Sequence, residues 1–250
     1  MGYGEEDFLQ KVFFPVNIYS DIRSTKHRDD VLFELEKSSS YAILEKRVME
    51  VLPIMNAKKQ PICYIIAGPN GAGKTTFALQ YLPKIVTCNN FINADEIAKG
   101  VSPLNFEAGL LQASKIFLHS LSQKLKYKET FAFETTLSGR SYLTQIPQWQ
   151  QNGWKVILIY LYIPSAEFSA LRVQQRFEQG GHNVPLDAIV RRYPRSIKNL
   201  FLYSEVCDKT LCFNNKLGNV KPVFERTKGQ SIEIIDKNTY SKIRKVVNNE

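Results

Sequence analysis

Long apolar runs are missing from this chain of 250 residues. None approaches the roughly 18–20 residues that a membrane-crossing helix needs. The start, Met1-Gly2-Tyr3-Gly4-Glu5-Glu6-Asp7, is acidic and leads into no apolar core, so it does not read as a secretory signal. Cysteine is scarce. Cys63, Cys88, Cys207 and Cys212 form no C-x-x-C pair, and Cys63 and Cys212 fall inside apolar runs. Buried free thiols in a reducing cytoplasm are the expectation. His27, His119 and His182 show no metal-ligand spacing, and no G-x-S-x-G elbow occurs. Zinc centres and α/β-hydrolase triads therefore have no support in the sequence. Neither an internal repeat nor a low-complexity stretch beyond Ser38-Ser39-Ser40 is present.

What is present is a folded, basic protein. Apolar residues are 44% and charged ones 23%, which excludes disordered and collagen-like polymers. Residues 1–60 hold nine Lys and Arg against ten Asp and Glu, whereas residues 61–250 hold 24 against 14. A near-neutral segment thus precedes a strongly basic body. Such a body attracts phosphate, whether on nucleic acid, membrane or a nucleotide.

The chain divides near residue 58. Residues 1–58 read as a helical extension: acids open Asp29 to Glu36, and Ile43, Leu44, Val48 and Val51 repeat at helical spacing until Pro53. From residue 59 the pattern is strand alternating with helix. Candidate strands are Ile62 to Ala67, Phe91 to Asn93, Thr130 to Glu134, Lys155 to Ile163 and Lys209 to Phe213. Their continuous apolar character predicts a parallel α/β sheet covered on both faces. A terminal hairpin around Lys228-Gly229-Gln230 and a helix from Tyr240 to Val247 close the chain.

The first strand runs into Gly68-Pro69-Asn70-Gly71-Ala72-Gly73-Lys74-Thr75, a full G-x-x-x-x-G-K-[S/T] match. Glycines let the backbone wrap a phosphate with its N–H groups inward, and the next helix turns its positive end to the same anion. Lys74 would reach the β- and γ-phosphates and Thr75 would hold magnesium, with Thr76 completing the nucleotide-binding stretch.

Two polar clusters end later strands, where ligands gather in an open parallel sheet. Transfer to a hydroxyl needs a carboxylate near it, and Asp95 is the candidate base. Glu134 would bind the acceptor or reach magnesium through water, and Thr135 and Thr136 would hydrogen-bond a sugar or phosphate. Glu96 is assigned to a solvated helix face. No apolar strand ends in two acids, the arrangement that would activate water, so transfer is favoured over hydrolysis.

Basic residues crowd Phe168 to Leu200: Arg172, Arg176, Arg191, Arg192, Arg195 and Lys198 face only Glu178 and Asp187. Gly180-Gly181-His182-Asn183-Val184-Pro185 separates two helices there. An arginine-rich helix–glycine–helix fits a lid closing over triphosphate, with arginine neutralising the phosphoryl group in flight.

Together the runs Ala67 to Phe77, Asn93-Ala94-Asp95-Glu96-Ile97, Phe133 to Gly139, and Gly180 to Pro185 with Arg191-Arg192-Tyr193 resemble the zeta toxin family of P-loop kinases. The match spans roughly residues 60–215 and is nearest to the branch labelled predicted ABC-type ATPases. The resemblance implies transfer of the ATP γ-phosphate to a sugar hydroxyl, the 3′-OH of UDP-N-acetylglucosamine in well-studied members. It assigns phosphate and magnesium to Lys74 and Thr75, the base to Asp95, the acceptor to Glu134 and Thr136, and the γ-phosphate to lid arginines. Two departures stand out. Asn214-Asn215-Lys216 replaces the usual Asp-Asn-Ser after the last strand, near the expected adenine, leaving ATP and GTP both open. One family lid arginine falls near His182, so Arg176 is taken first and the second is sought among Arg172, Arg192 and Arg195.

The expected partners are a nucleotide-sugar acceptor and an antitoxin, either separate or supplied in cis by residues 1–58. Two other functions fit less of the sequence: a nucleic-acid end kinase, which needs aromatic platforms in a basic groove, and a nucleotide-gated regulator without an acceptor.

Overall fold

Ile62–Ala67, strand β1, has every side chain buried, as its unbroken apolar run requires. The computed structural model describes residues 60–85, 88–216 and 219–248. The expected helical extension over residues 1–58 lies outside them. Strand β1 pairs in parallel with β3 (Phe131–Thr135) on one side and β4 (Lys155–Tyr162) on the other. Outside these lie β2 (Phe91–Ile92) beside β3 and β5 (Lys209–Lys216) beside β4, also parallel. Two antiparallel strands, β6 (Asn219–Thr227) and β7 (Glu233–Ile234), complete the order β2-β3-β1-β4-β5-β6-β7.

Helices α1 (Lys74–Ile85), α2 (Ala94–Val101), α3 (Phe106–Tyr127), α4 (Ser141–Gln151), α5 (Ala166–Glu178) and α6 (Leu186–Val206) fall between the parallel strands, and α7 (Lys237–Asn248) ends the fold. The result is the expected α/β sheet flanked by helices. Local chemistry sets the starts. Asn93, Asn105 and Ser165 each cap a helix through the side chain, at α2, α3 and α5. Among the described residues no helix is long and apolar enough to cross a membrane. All four cysteines are buried free thiols.

The C-terminal edge differs from its sequence reading in length. Strand β5 continues past Phe213 through Asn214, Asn215 and Lys216, and β6 is nine residues long. Pro222 masked the longer β6. The ladder passes from Cys212↔Phe224 to Phe213↔Pro222, so a bulge at Val223 carries the proline that cannot donate a ladder hydrogen bond. The arginine-rich segment is the packed hairpin of α5 and α6, joined through an apolar cluster of Val173, Val184, Ala188 and Ile189.

Candidate active site

Three parallel strands, β2, β3 and β1, lie side by side, so their carboxyl ends and the loops that follow share one rim. The Gly68–Thr75 loop occupies it after β1. Gly68 has φ 147°, and a Cβ there would stand 2.3 Å from the Leu161 carbonyl oxygen of β4. Gly73 has φ 79°, and its Cβ would meet Asn215 Nδ2 at 2.7 Å. Both positions accept only glycine without displacement. Asn215, buried at the end of β5, donates from Nδ2 to the Ala72 carbonyl at 2.7 Å. Ser169 of α5 donates to the Asn70 carbonyl at 2.5 Å. Thus Asn70 and Ala72 are held by side chains more than 90 residues away in sequence. Pro69 accepts from Lys74 Nζ at 3.0 Å, and Thr76, next in α1, is exposed.

Lys74 and Thr75 meet one carboxylate. Thr75 Oγ1 donates to Glu134 Oε2 at 2.6 Å, and Lys74 Nζ stands 3.6 Å from Glu134 Oε1. Lys74 is 6% exposed and Glu134 12%, so the pair is well removed from water. Asn93 joins them. Its Nδ2 donates to Glu134 Oε2 at 2.9 Å and to Thr75 Oγ1 at 3.2 Å, while its Oδ1 caps α2 by accepting from Asp95 and Glu96 amides. The sequence reading passed over Asn93. Its position directly after β2 and before a helix was the available signal, since that is the N-cap position.

Asp95 stands in the first turn of α2, 41% exposed, and does not cap the helix. Its Oδ2 lies 3.5 Å from His182 Nε2. His182 stacks on Phe106 with ring centroids 4.1 Å apart, and its carbonyl accepts from Arg176 Nη2 at 3.2 Å. Burial pulls the His182 imidazole below its ordinary pKa, with Asp95 opposing and Arg176 reinforcing the shift. His182 therefore ties the Gly180–Pro185 loop to Asp95. Glu96 faces outward and pairs with Lys99 at 2.8 Å, as a solvated helix face should.

Arg172 donates to the Asn215 carbonyl at 3.0 Å, beside the phosphate loop. Burial lowers its pKa from the ordinary arginine value. Arg176 has a buried Nε without a hydrogen-bond partner among the described residues. Arg172 and Arg176 are thus both on the site side of α5, against the loop and the His182 backbone respectively. Arg192 lies on α6, partly exposed, and makes no hydrogen bond or ion pair with this cluster among the described residues.

After β3 the chain turns through Thr135 to Arg140. Thr135 Oγ1 accepts from the Leu137 amide at 3.1 Å, and the Thr136 and Ser138 hydroxyls bond each other at 3.0 Å. Leu137 is buried with φ 57°, a strained conformation for leucine. Three α6 side chains hold it there. Ser196 donates to the Thr136 carbonyl at 2.6 Å, Asn199 to the Leu137 carbonyl at 2.8 Å, and Tyr203 to the Gly139 carbonyl at 3.1 Å.

The Thr75 hydroxyl and the part-buried Glu134 carboxylate are hard oxygen donors of the kind a magnesium ion takes. The arrangement sets the glycine loop, Lys74, the Thr75–Glu134 oxygen pair and the partly exposed Asp95 after neighbouring strands. Groups of these kinds are the ones phosphoryl transfer uses.

Comparisons with known proteins bear on the fold. No protein-family model matches the chain. An uncharacterized protein of Haemophilus influenzae is 30% identical over 128 residues, which cover 50% of this chain and 88% of that protein. This chain belongs to the same family as that protein. The fold of the family member described here is that of zeta-toxin-like P-loop kinases. The crystal structure of AvrRxo1-ORF1:-ORF2 with ATP superposes with a TM-score of 0.59 at 16% identity, over 87% of this chain and 71% of that one. The PezAT chromosomal toxin–antitoxin system of Streptococcus pneumoniae gives a TM-score of 0.52 at 17% identity, over 85% and 97%.

Proposed function

We propose that this family member is an ATP-dependent kinase that phosphorylates a sugar hydroxyl, the 3′-OH of UDP-N-acetylglucosamine or of a related nucleotide sugar. The observation that supports it is the convergence of Lys74, Thr75 and Asn93 on Glu134, with Asp95 two residues beyond Asn93. Residues 68–76 would wrap the triphosphate, the loop amides and α1 dipole meeting its charge. Lys74 would release Pro69 and Glu134 for the phosphates. Magnesium, held by Thr75 directly and by Glu134 through water, would offset charge between the β- and γ-phosphates. Asp95 would take the proton from the acceptor hydroxyl as the new P–O bond forms and the bond to the β-phosphate oxygen breaks. Glu134, Thr135 and Thr136 would orient the acceptor. Arg176, with its desolvated Nε, and Arg172 would face the phosphoryl group, and Arg192 would join them on lid closure.

ATP as co-substrate agrees with the ATP bound in AvrRxo1-ORF1:-ORF2, whose fold this chain shares. By analogy with the toxin–antitoxin pairing in PezAT, an antitoxin would restrain the kinase domain, residues 59–250, either in trans or through residues 1–58 in cis. Deleting residues 1–56 should then raise nucleotide affinity. Unchanged affinity in a folded product would remove the cis reading.

The deciding experiment incubates the full chain with magnesium and ATP or GTP and a panel of UDP-sugars, nucleosides and oligonucleotides. Mass spectrometry then locates any added phosphate. Phosphate on an oligonucleotide end alone would replace this reading with an end kinase, and nucleotide binding with no product would leave a regulator.

A further inference from the structure

Two glycines end α5 and set the course of the loop that follows. Gly180, with φ 86°, adopts the left-handed conformation that closes a helix, and the Gly181 amide donates to the Arg176 carbonyl at 2.9 Å. A Cβ on Gly181 would stand 2.7 Å from Arg176 Cγ and 2.8 Å from the Arg176 carbonyl oxygen, so only glycine lets the chain double back over Arg176 there. Val184, further along, is buried in the α5–α6 cluster and fixes the other end of the loop. His182 lies between these two anchors.

Its imidazole is held as well as its backbone. The ring stacks on Phe106 at an interplanar angle of 15°, and the side chain is 10% exposed. Phe106 opens α3, which packs so closely on α2 that a Cβ on Gly109 would stand 2.8 Å from the Ala98 carbonyl oxygen. Asp95 belongs to that same α2. Its amide goes to the Asn93 cap, and among the described residues His182 is the one side chain that pairs with its carboxylate. The 3.5 Å between them is long for a formed hydrogen bond, and catalytic pairs are often that loose until substrate tightens them.

The groups around the imidazole are Asp95, Glu96 and Lys99 on α2, Phe106 on α3 and Arg176 on α5. Burial, Arg176 and Lys99 favour its neutral form against the two acids. A neutral imidazole protonated at Nε2 can donate to a carboxylate, orienting it while leaving it freer to take a proton than an imidazolium would. The carbonyl of the same residue accepts from Arg176 Nη2 at 3.2 Å. One residue thus meets the carboxylate with its side chain and the α5 arginine with its backbone.

We infer that His182 is a positioning residue for the proposed transfer: its imidazole holds the Asp95 carboxylate in one orientation, and its carbonyl keeps that orientation in step with Arg176. The role rests on the kinase reading, in which Asp95 is the base and Arg176 faces the phosphoryl group. His182 itself exchanges no proton with the acceptor.

The test uses the full chain. Every side-chain variant at 182 keeps the carbonyl that Arg176 uses, so only the task of the imidazole is probed. With saturating magnesium-ATP and the UDP-sugar panel, His182→Ala should lower kcat by roughly 10²-fold, the cost of a misplaced catalytic group, with the KM for ATP unchanged. His182→Gln, whose amide nitrogen reaches about as far as the imidazole Nε2, should recover most of that loss. His182→Asn, shorter by a methylene, should not. A packing role alone would not sort the two amides by reach. Melting temperatures accompany the kinetics, and the Gln–Asn comparison decides where the alanine variant does not fold. Histidine NMR adds a readout without turnover. The resonance lost in His182→Gln should titrate at lower pH in Asp95→Asn than in wild type, because the carboxylate that favours the imidazolium is gone. Identical titration in the two would overturn the proposal, as would wild-type kcat in His182→Ala or equal rates in the Gln and Asn variants. A wild-type chain that phosphorylates no UDP-sugar fails the kinase reading and this role with it. Transfer by wild type that His182→Ala leaves intact fails this role alone.

Discussion

The Thr75 hydroxyl donates to Glu134 Oε2 at 2.6 Å, and the neighbouring Lys74 ammonium stands 3.6 Å from the other oxygen of the same carboxylate. One acid from β3 thus meets both side chains that follow Gly73 at the end of the glycine loop. Glu134→Gln preserves shape, removes the charge and leaves one accepting oxygen where the carboxylate has two. Transfer should fall by about 10²-fold or more, with ATP affinity altered only a few-fold. Steady-state kinetics beside an ATP titration separates the two. Equal loss of binding and turnover would place Glu134 in nucleotide binding alone.

Asp95 and Lys74 should part company in the same assays. Asp95→Asn should keep ATP binding and lose transfer, by roughly 10²–10⁴-fold for a missing general base. Lys74→Ala should lose both. Full transfer by Asp95→Asn would refute its assignment as base.

Asn215 governs the shape of the phosphate loop. Asn215→Ala strands the buried Ala72 carbonyl that its Nδ2 serves, at a cost of about 1–3 kcal/mol. A lower melting temperature and weaker ATP binding should appear together. Gly68→Ala drives a Cβ against the Leu161 carbonyl and should cost at least as much, about 1–3 kcal/mol. Chemical denaturation of the two variants tests both figures, and wild-type stability in either would contradict the close packing of loop on sheet.

His182 gives stability a pH dependence with a definite sign. Its pKa is lowered in the folded protein by burial, against the attraction of Asp95 and Glu96 and with help from Arg176 and Lys99. Below an unfolded value of about 6.5 the unfolded chain therefore binds more protons at this site than the folded one. The stability tied to neutral His182 is present above that value and is lost as pH falls toward the folded pKa. Melting temperatures of wild type and His182→Gln, compared across about pH 5 to 7.5, should converge or cross as acid is added. A constant difference would show that His182 does not titrate in that window.

Much of the site was legible because it is local. The Gly68–Thr75 motif follows a buried strand and opens a helix, and strand, turn and helix are all set by neighbouring residues. Glu134 lies near the end of β3 and Asp95 in the helix turn just after β2, and parallel pairing puts those strand ends on one rim. The exact strand ends were less legible. Pro222 broke the apparent β6, although a bulge accommodates it. Asn214 to Lys216 read as a loop because asparagine is a poor strand former, yet β6 pairs with all three.

The alternation of buried strands with helices and the position of the glycine loop between β1 and α1 follow from the sequence alone. Apolar period, glycine conformation and capping act over a few residues, so their outcome is written in adjacent letters. Which distant side chains complete them is fixed by how strands and helices pack. Asn215 and Ser169 hold the glycine loop, His182 meets Asp95, and Asn199 accepts from Arg140 across 59 residues. Those contacts depend on strand order and helix packing, and no spacing along the chain encodes them.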